Sequence, residues 1–324
     1  MVMKLDTPNY NNVLEAEKNI KDIAHITPVL TSNYLNKKLN SEIFFKCENF
    51  QKTGAFKFRG ALNALKKLNE QQKKIGVVAF SSGNHAQGIA LAAKLLKIPA
   101  TILMPADAPE TKIAATKSYG AEIIFFDRYT ESKEEIAQDM VSKNGAALIS
   151  SCDHPDVIAG QGTIAKELID SVGALDVIFV PVGGGGILAG TLLTIKNCLP
   201  NCEIYGIEPE AGNDAQQSVE KGEIVRIDVP NTIADGAQTQ NLGEYNFSII
   251  KSNVTIIDTV TDSELIDSMK FFAERLKIVV EPTGCLGLAG FIKNNEKFKN
   301  KKIGIIVTGG NVDIDNYSKL LTTK

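Results

Sequence analysis

Strand-like and helix-like runs take turns along this chain with few interruptions, and that alternation is the tightest constraint on its fold. The densest stretch lies between Gly76 and Ile149. It reads as strand Val77–Phe80, helix Ala86–Leu96, strand Thr101–Met104, helix Glu110–Tyr119, strand Glu122–Phe126, helix Ser132–Lys143 and strand Ala147–Ile149. Four short strands joined by helices within about 75 residues make a small doubly wound unit by themselves. A second series surrounds it. Glu42–Cys47 reads as a strand, and Phe58–Asn69 as a helix with Leu62, Leu65 and Leu68 on one face. Then come helix Ile158–Ile169, strand Val177–Val180, helix Ile187–Cys198 and strand Glu203–Ile207. Beyond an irregular stretch, Gly222–Asn246, follow strand Thr255–Thr259, helices Asp262–Leu276 and Gly284–Ile292, and strand Lys302–Val307. Glu42–Leu68 needs partners that only the later series supplies. The expected architecture is therefore α/β, with two doubly wound parallel-sheet domains. The small one (76–150) is inserted in the large one (1–75 and 151–324).

The chain of 324 residues suits that division, at roughly 150 residues per domain. It can bury a sufficient core without disulfides or structural metals. Lys plus Arg number 35 against 38 Asp plus Glu, a formal net charge of −3. Such a balance gives no electrostatic reason to expect nucleic acid or an anionic membrane as a partner. Cys47, Cys152, Cys198, Cys202 and Cys285 are scattered, and Cys198 and Cys202 lack the second pair that a zinc site needs. All five read as buried thiols of a reducing, cytoplasmic compartment. Met1–Asn12 lacks the apolar core of a signal peptide. The uncharged run Val177–Ile195 is nearly of membrane length, but Pro181 and Gly183–Gly186 break it into strand, loop and helix, so no membrane span is expected.

Several motifs fall where strands end. Gly183-Gly184-Gly185-Gly186 follows a strand and opens a helix, where converging N–H groups and the helix dipole favour a phosphate. Gly184-x-Gly186-x-x-Ala189 also fits the loose dinucleotide pattern, with Glu208 about where a ribose-binding acid would stand. A nucleoside-triphosphate loop is not expected, since Gly185-x4-Gly190 is followed by Thr191 with no Lys. Lys57 stands between Phe56 and Phe58 with Arg59 nearby. Desolvation and a like charge would lower its pKa and favour a nucleophilic amine. The plainer reading is an exposed lysine snorkelling past its aromatic neighbours. Ser81-Ser82-Gly83-Asn84-His85 leads from a strand end into a helix and suits a carboxylate. On its own, helix capping by Ser82 or Asn84 is the plainer reading, and His85 alone reads as a hydrogen-bonded structural histidine. Glu208 and Asp214, with a free carbonyl between them, could hold Mg²⁺ or Ca²⁺. The plainer reading is a solvated acidic turn with Asp214 near a helix N-terminus. Thr308-Gly309-Gly310-Asn311 ends the last strand on the same edge.

Taken in order, these pieces resemble fold-type II pyridoxal-phosphate enzymes, and within them the group of serine racemases and threonine/serine dehydratases. The resemblance is carried by Thr27-Pro28, Leu30-Thr31-Ser32, Lys52-Thr53-Gly54-Ala55-Phe56-Lys57-Phe58-Arg59-Gly60 and Ser81-Ser82-Gly83-Asn84-His85-Ala86-Gln87-Gly88. Further on it includes Ala159-Gly160-Gln161-Gly162-Thr163, Pro181–Gly186, Thr232-Ile233-Ala234-Asp235-Gly236, Glu281-Pro282-Thr283-Gly284 and Thr308-Gly309-Gly310-Asn311-Val312-Asp313. It runs over residues 13–317 and overturns the plainer readings of Lys57, Ser82 and the glycine run.

The resemblance implies that Lys57, next to Phe56, holds pyridoxal phosphate covalently. Gly183, Gly184, Gly185 and Gly186 would bind its phosphate, Asn84 its ring hydroxyl, and Thr308 its pyridine nitrogen. The loop Ser81, Ser82, Gly83, Asn84, His85 would take the substrate carboxylate. Ser82 would be the acid/base on the face opposite Lys57, a position where related serine dehydratases and biosynthetic threonine dehydratases generally carry alanine. Glu208, Asp214 and the Gly212 carbonyl would hold Mg²⁺ or Ca²⁺. A nucleotide effector such as ATP would bind at a homodimer interface through Lys52, Thr53, Gln87, Tyr119, Lys277 and Asn311. Asn33 and Tyr34 depart from the small residues more usual there, and Cys152-Asp153-His154 from the more frequent His-Pro-rich segment. The series ends with the last strand, so no regulatory domain of the biosynthetic threonine dehydratase kind is expected. The implied activity is racemisation of L- and D-serine with elimination to pyruvate and ammonia. The alternative is a catabolic L-threonine/L-serine dehydratase without racemase activity. A nicotinamide dehydrogenase would leave Lys57 and Ser81–His85 unexplained, and a non-catalytic binding protein would keep these groups without use.

Overall fold

The computed structural model describes residues 6–81, 83–108, 110–127 and 130–322. Among these, ten strands form two sheets: β1 (Val29–Leu30), β2 (Glu42–Cys47), β3 (Val77–Phe80), β4 (Ala100–Pro105), β5 (Glu122–Phe126), β6 (Ala147–Leu148), β7 (Val177–Pro181), β8 (Glu203–Pro209), β9 (Ile256–Val260) and β10 (Lys302–Val307). The larger sheet runs β1-β2-β10-β7-β8-β9 and the smaller β5-β4-β3-β6. The smaller is parallel throughout. The larger is mixed, because β1 pairs antiparallel with β2 while its other pairings are parallel. That edge strand of two residues, set between Pro28 and Thr31, is too short to show a period in the sequence.

Central strands covered on both faces read as continuous apolar runs. Val177-Ile178-Phe179-Val180-Pro181 is buried at every position, and β2, β3, β5 and β10 have the bounds expected from sequence. Helix ends moved where local chemistry intervenes. The helix expected over Phe58–Asn69 runs Lys57–Lys66, because Asn69 starts a separate helix, Glu70–Ile75, through a capping box with Gln72. The helix expected over Asp262–Leu276 becomes a π-helical turn at Phe272–Leu276 and stops at Lys277, in the left-handed region at φ 60°. The stretch around Gly222–Asn246 contains a further helix boundary, since Glu244–Ile250 is helical.

All strands of the smaller sheet lie within residues 77–148 and all those of the larger sheet outside them. The hydrophobic cores divide differently. Phe58, Leu62 and Leu65 share a cluster with Val77, Ala79, Ile89 and Ile102, so the helix that begins at Lys57 packs beneath the smaller sheet. Phe56, one residue earlier, belongs to a core of the larger sheet. Lys57 thus sits where the two layers meet. No helix among the described residues is long and apolar enough to cross a membrane.

Candidate active site

Residues that follow β3, β7 and β10 line one cavity of about 810 Å³, at the carboxyl ends of parallel strands, where open α/β sheets bind ligands. Lys57 reaches into it. Its Nζ donates to the Ser151 carbonyl oxygen at 2.8 Å and stands 5.0 Å from the Phe56 ring centroid. Burial holds the amine below the usual lysine range, against the opposing pull of Cys152 and Glu281. The direction is the one expected from sequence, but the causes are narrower. Arg59 is paired with Glu48 and Glu167, so its charge is compensated, and Phe58 is turned into the core under the smaller sheet. The segment before Lys57 is tied to the end of β10: Phe56 N–H donates to the Thr308 carbonyl at 3.0 Å, and Ala55 forms a β-bridge with Gly309.

Gly185 lies at the N-cap of helix Gly186–Cys198 with φ 92°, and no side chain among the described residues caps that helix. Its first-turn N–H groups therefore have no intrahelical partner and no cap. Bulk is excluded all along the loop. A Cβ at Gly184 would run into Cys152 Sγ, one at Gly185 would lie 2.8 Å from Leu242 and 2.9 Å from Asn246, and one at Gly186 would lie 3.0 Å from the Cys152 carbonyl. Asn246 Nδ2 donates to the Gly184 carbonyl at 2.6 Å and fixes the loop from outside. Thr308 Oγ1 is buried and has no hydrogen-bond partner among the described residues. An amine of lowered basicity, an uncapped glycine-rich helix start and an orphaned buried hydroxyl in one cavity fit pyridoxal phosphate.

In the loop after β3, Ser81 Oγ accepts the Gly83 N–H at 3.1 Å, and Ser81, Gly83, Asn84 and His85 line the cavity. Ser82 lies outside the described residues. Asn84 begins helix Asn84–Leu96 without capping it. Its Nδ2 donates to Glu281 Oε1 at 2.9 Å, and its Oδ1 accepts from Asn311 Nδ2 at 2.8 Å. An amide has two N–H groups, and these bonds use only one of them. His85 Nε2 lies 3.0 Å from the Ile149 carbonyl. Burial, followed by the Lys57 charge, pushes its pKa down to about 3, so the ring is neutral and donates there as a structural histidine.

Glu208 and Asp214 are buried, 0% and 1% exposed, which removes the reading of a solvated turn. Glu208 accepts the Ala215 and Gln216 N–H groups at 3.0 and 2.9 Å, capping helix Asp214–Lys221, while Asp214 Oδ2 has no partner among the described residues. Burial and then Asp214 hold the Glu208 carboxyl above the usual range, and burial raises Asp214 to about 7. Gly212 closes the turn Glu210–Gly212 between them. Two adjacent buried carboxyls with an unpartnered oxygen suit a hard cation, although no group of three His, Cys, Asp or Glu stands together among the described residues. Of the nucleotide positions, Gln87 and Asn311 line the cavity, and Asn311 Nδ2 donates to the Thr53 carbonyl at 2.6 Å. Lys52 shares the Thr53 turn, Tyr119 follows helix Glu110–Ser118, and Lys277 donates to the Glu274 carbonyl, so these last two stand on separate elements.

Ser151, Cys152, Asn246 and Glu281 belong to the site but carry no role in the sequence motifs. Glu281 had a signal in its place in Glu281-Pro282-Thr283-Gly284, and Cys152, which like Cys198 is only partly buried, in the departing segment Cys152-Asp153-His154; Ser151 and Asn246 act through contacts distant in sequence. The family described as pyridoxal-phosphate dependent enzyme matches residues 20–309. The serine racemase of Schizosaccharomyces pombe is 60% identical over 315 residues, 97% of this chain and 98% of its own. The L-threo-3-hydroxyaspartate ammonia-lyase of Saccharomyces cerevisiae is 58% identical over 317 residues, 98% of this chain and 97% of its own. The crystal structure of serine racemase from Dictyostelium discoideum superposes with a TM-score of 0.91 at 40% identity, covering 95% of this chain and all of that one.

Proposed function

The chain belongs to the fold-type II pyridoxal-phosphate-dependent enzymes, in their racemase and ammonia-lyase group, and we propose that it interconverts L- and D-serine and eliminates serine to pyruvate and ammonia. The observation that carries this is Lys57 and Ser82 in one chain. Racemisation needs a proton-transfer group on each face of the α-carbon. Lys57 is held in the cavity, and Ser82 stands in the sequence between Ser81 and Gly83, both of which line it. The fission yeast relative supports the same reading.

The cofactor, when bound, supplies an electron sink for the α-carbon. The chain does the rest. The uncapped start of helix Asn84–Leu96 takes the substrate carboxylate. Lys57, whose burial favours the free amine, removes the α-proton at Nζ, and the Ser82 hydroxyl returns one to the opposite face. Where the β-hydroxyl leaves instead, a keto acid and ammonia result. In this reading residues 76–150 form the small, carboxylate-binding domain and the remainder the large cofactor domain. The enzyme is a cytoplasmic homodimer, with ATP bound through Lys52, Thr53, Gln87, Tyr119, Lys277 and Asn311.

Incubating the protein with pyridoxal phosphate, Mg²⁺ and L-serine, and measuring D-serine and pyruvate separately, tests the proposal. Pyruvate without D-serine would make the enzyme a dehydratase. The budding yeast relative favours a second reading, so L-threo-3-hydroxyaspartate belongs in the same assay beside L-threonine; a strong preference for it would replace serine as substrate. For Ser82→Ala, D-serine formation should fall on the order of 100-fold or more, the contribution of a positioned acid/base, while pyruvate formation from L-serine persists. Equal loss of both would remove Ser82 from that role.

Glu208, Asp214 and the Gly212 carbonyl are proposed as the Mg²⁺ or Ca²⁺ ligands. Without a cation, folded Asp214 keeps its proton up to about pH 7, against 3.8 for an ordinary aspartate. Its stabilising contribution is therefore complete below the ordinary range and is lost as pH rises through about 7. A cation needs both carboxylates ionised. Mg²⁺ should accordingly raise the Tm more at pH 8 than at pH 6, and Glu208→Gln should abolish the difference. Equal shifts at both pH values in the unsubstituted protein would leave the pair a structural feature only.

A further inference from the structure

Lys57 is the first residue of its helix, and no side chain among the described residues caps that helix. What fixes the helix start lies on its other face. Residues two apart do not share a helix face, so Lys57 points into the cavity while Arg59, from the same turn, points away from it. Arg59 is fully buried and is gripped by two carboxylates. Its Nε and Nη2 donate to Glu48 at 2.7 and 2.8 Å, and its Nη1 and Nη2 to Glu167 at 2.6 and 2.9 Å. Lys46 Nζ supplies the second positive charge, donating to Glu167 Oε2 at 2.6 Å and to the Thr27 carbonyl at 2.8 Å. Two cations thus meet two carboxylates, and the cluster is neutral as a whole.

The three anchors come from three elements. Glu48 lies in the turn that leaves β2, Glu167 in helix Pro155–Val172, and Arg59 in the Lys57 helix. The two helices touch without intervening side chains, since a Cβ at Gly160 would lie 2.6 Å from Gly60 Cα. Ser151, whose carbonyl accepts the Lys57 hydrogen bond, lies just ahead of the helix that carries Glu167. The cluster therefore locks together the two segments that hold Lys57 and its partner. A bidentate guanidinium fixes both distance and orientation, which a lysine ammonium does not.

We infer that Arg59, held between Glu48 and Glu167, is a positioning residue that sets Lys57 Nζ for attack on the cofactor aldehyde. This rests on Lys57 as the cofactor-holding residue and not on serine as the substrate. The test uses Arg59→Lys, which keeps the charge but loses the fork, and Glu167→Gln, which leaves the Arg59–Glu48 pair in place should Arg59→Lys fail to fold. Phe291→Leu, in the aromatic cluster of the larger sheet away from the cavity, serves as a control that loosens a packed core without touching this cluster. Each cofactor-free protein is mixed with pyridoxal phosphate, and the bound-cofactor absorbance is followed in time and against pH. The expected result is loading at least tenfold slower, with a displaced pH midpoint, in the folded Arg59 and Glu167 variants but not in Phe291→Leu. Loading at the unsubstituted rate and midpoint in those variants, or changes no larger than those of Phe291→Leu, would overturn the inference. Failure of the underlying reading would show separately, as covalent loading of a protein that lacks Lys57.

Discussion

Replacing Lys57 with Ala is expected to give a folded protein with neither the bound-cofactor absorbance nor D-serine or pyruvate formation. The amine is the proposed point of attachment as well as the proposed proton carrier, so no partial route is expected to survive its loss. A fall of at least ~10³-fold is expected where a nucleophile and a general base vanish together. Stability should move little by comparison. The Lys57 amine donates to the Ser151 carbonyl, and an unpaired carbonyl costs about 1–3 kcal/mol, partly offset because a poorly solvated amine is removed. A second readout needs no cofactor. The folded state holds the Lys57 pKa below the ordinary lysine value of 10.5, so over that interval the unfolded chain binds more protons and stability rises with pH. Lys57→Ala should flatten that rise in the Tm of the cofactor-free protein. Racemisation above a hundredth of the unsubstituted rate, or unchanged absorbance, would sink the assignment.

The parts legible in the sequence are those whose physics is local. β2, β3, β5 and β10 keep their expected bounds because each is built around a short apolar stretch. The glycine run after β7 is visible because successive glycines between a strand and a helix have few other uses. Helix Tyr10–Ile20 shows how a weaker signal passes unread. Its capping box uses Asn9 and Asn12 in place of the Ser/Thr and Glu/Gln pair. Legibility ends where distant residues decide. Beside Lys57 in the sequence, Arg59 reads as a like charge; in the fold Glu48 and Glu167 neutralise it. From the residues alone, Glu208 and Asp214 read more readily as a wet turn than as a cation site, and only the packing that buries them overturns that reading. Asn246 belongs to no motif, yet it holds Gly184 in place through one long-range hydrogen bond. Local chemistry thus announces the proposed attachment points for the cofactor, whereas the groups that orient them are chosen by the tertiary fold.

Gly185→Ala should strike the cofactor rather than the fold, and the reason is geometric. At φ 92° an alanine carries left-handed strain of about 1–2 kcal/mol. Its Cβ would also lie 2.8 Å from Leu242, 2.9 Å from Asn246 and 3.0 Å from Ile250, overpacking that costs about 1–3 kcal/mol more. The loop can relieve both by moving away from Asn246. That movement withdraws the helix start from the phosphate it is proposed to receive. If most of the strain is relieved this way, its ~2–5 kcal/mol becomes lost cofactor affinity, a rise in Kd of roughly 30-fold to a few thousand-fold at 1.4 kcal/mol per tenfold. Gly222 provides the control. It is also in the left-handed region, at φ 75°, but a Cβ there would meet nothing within 4 Å. Gly222→Ala should therefore lower the Tm slightly and leave pyridoxal-phosphate affinity untouched. Equilibrium titration of both cofactor-free variants separates strain in general from strain at a phosphate cradle. Equal affinity in the two would mean that the glycines serve packing against Cys152 and Leu242 alone, and that the phosphate is held elsewhere.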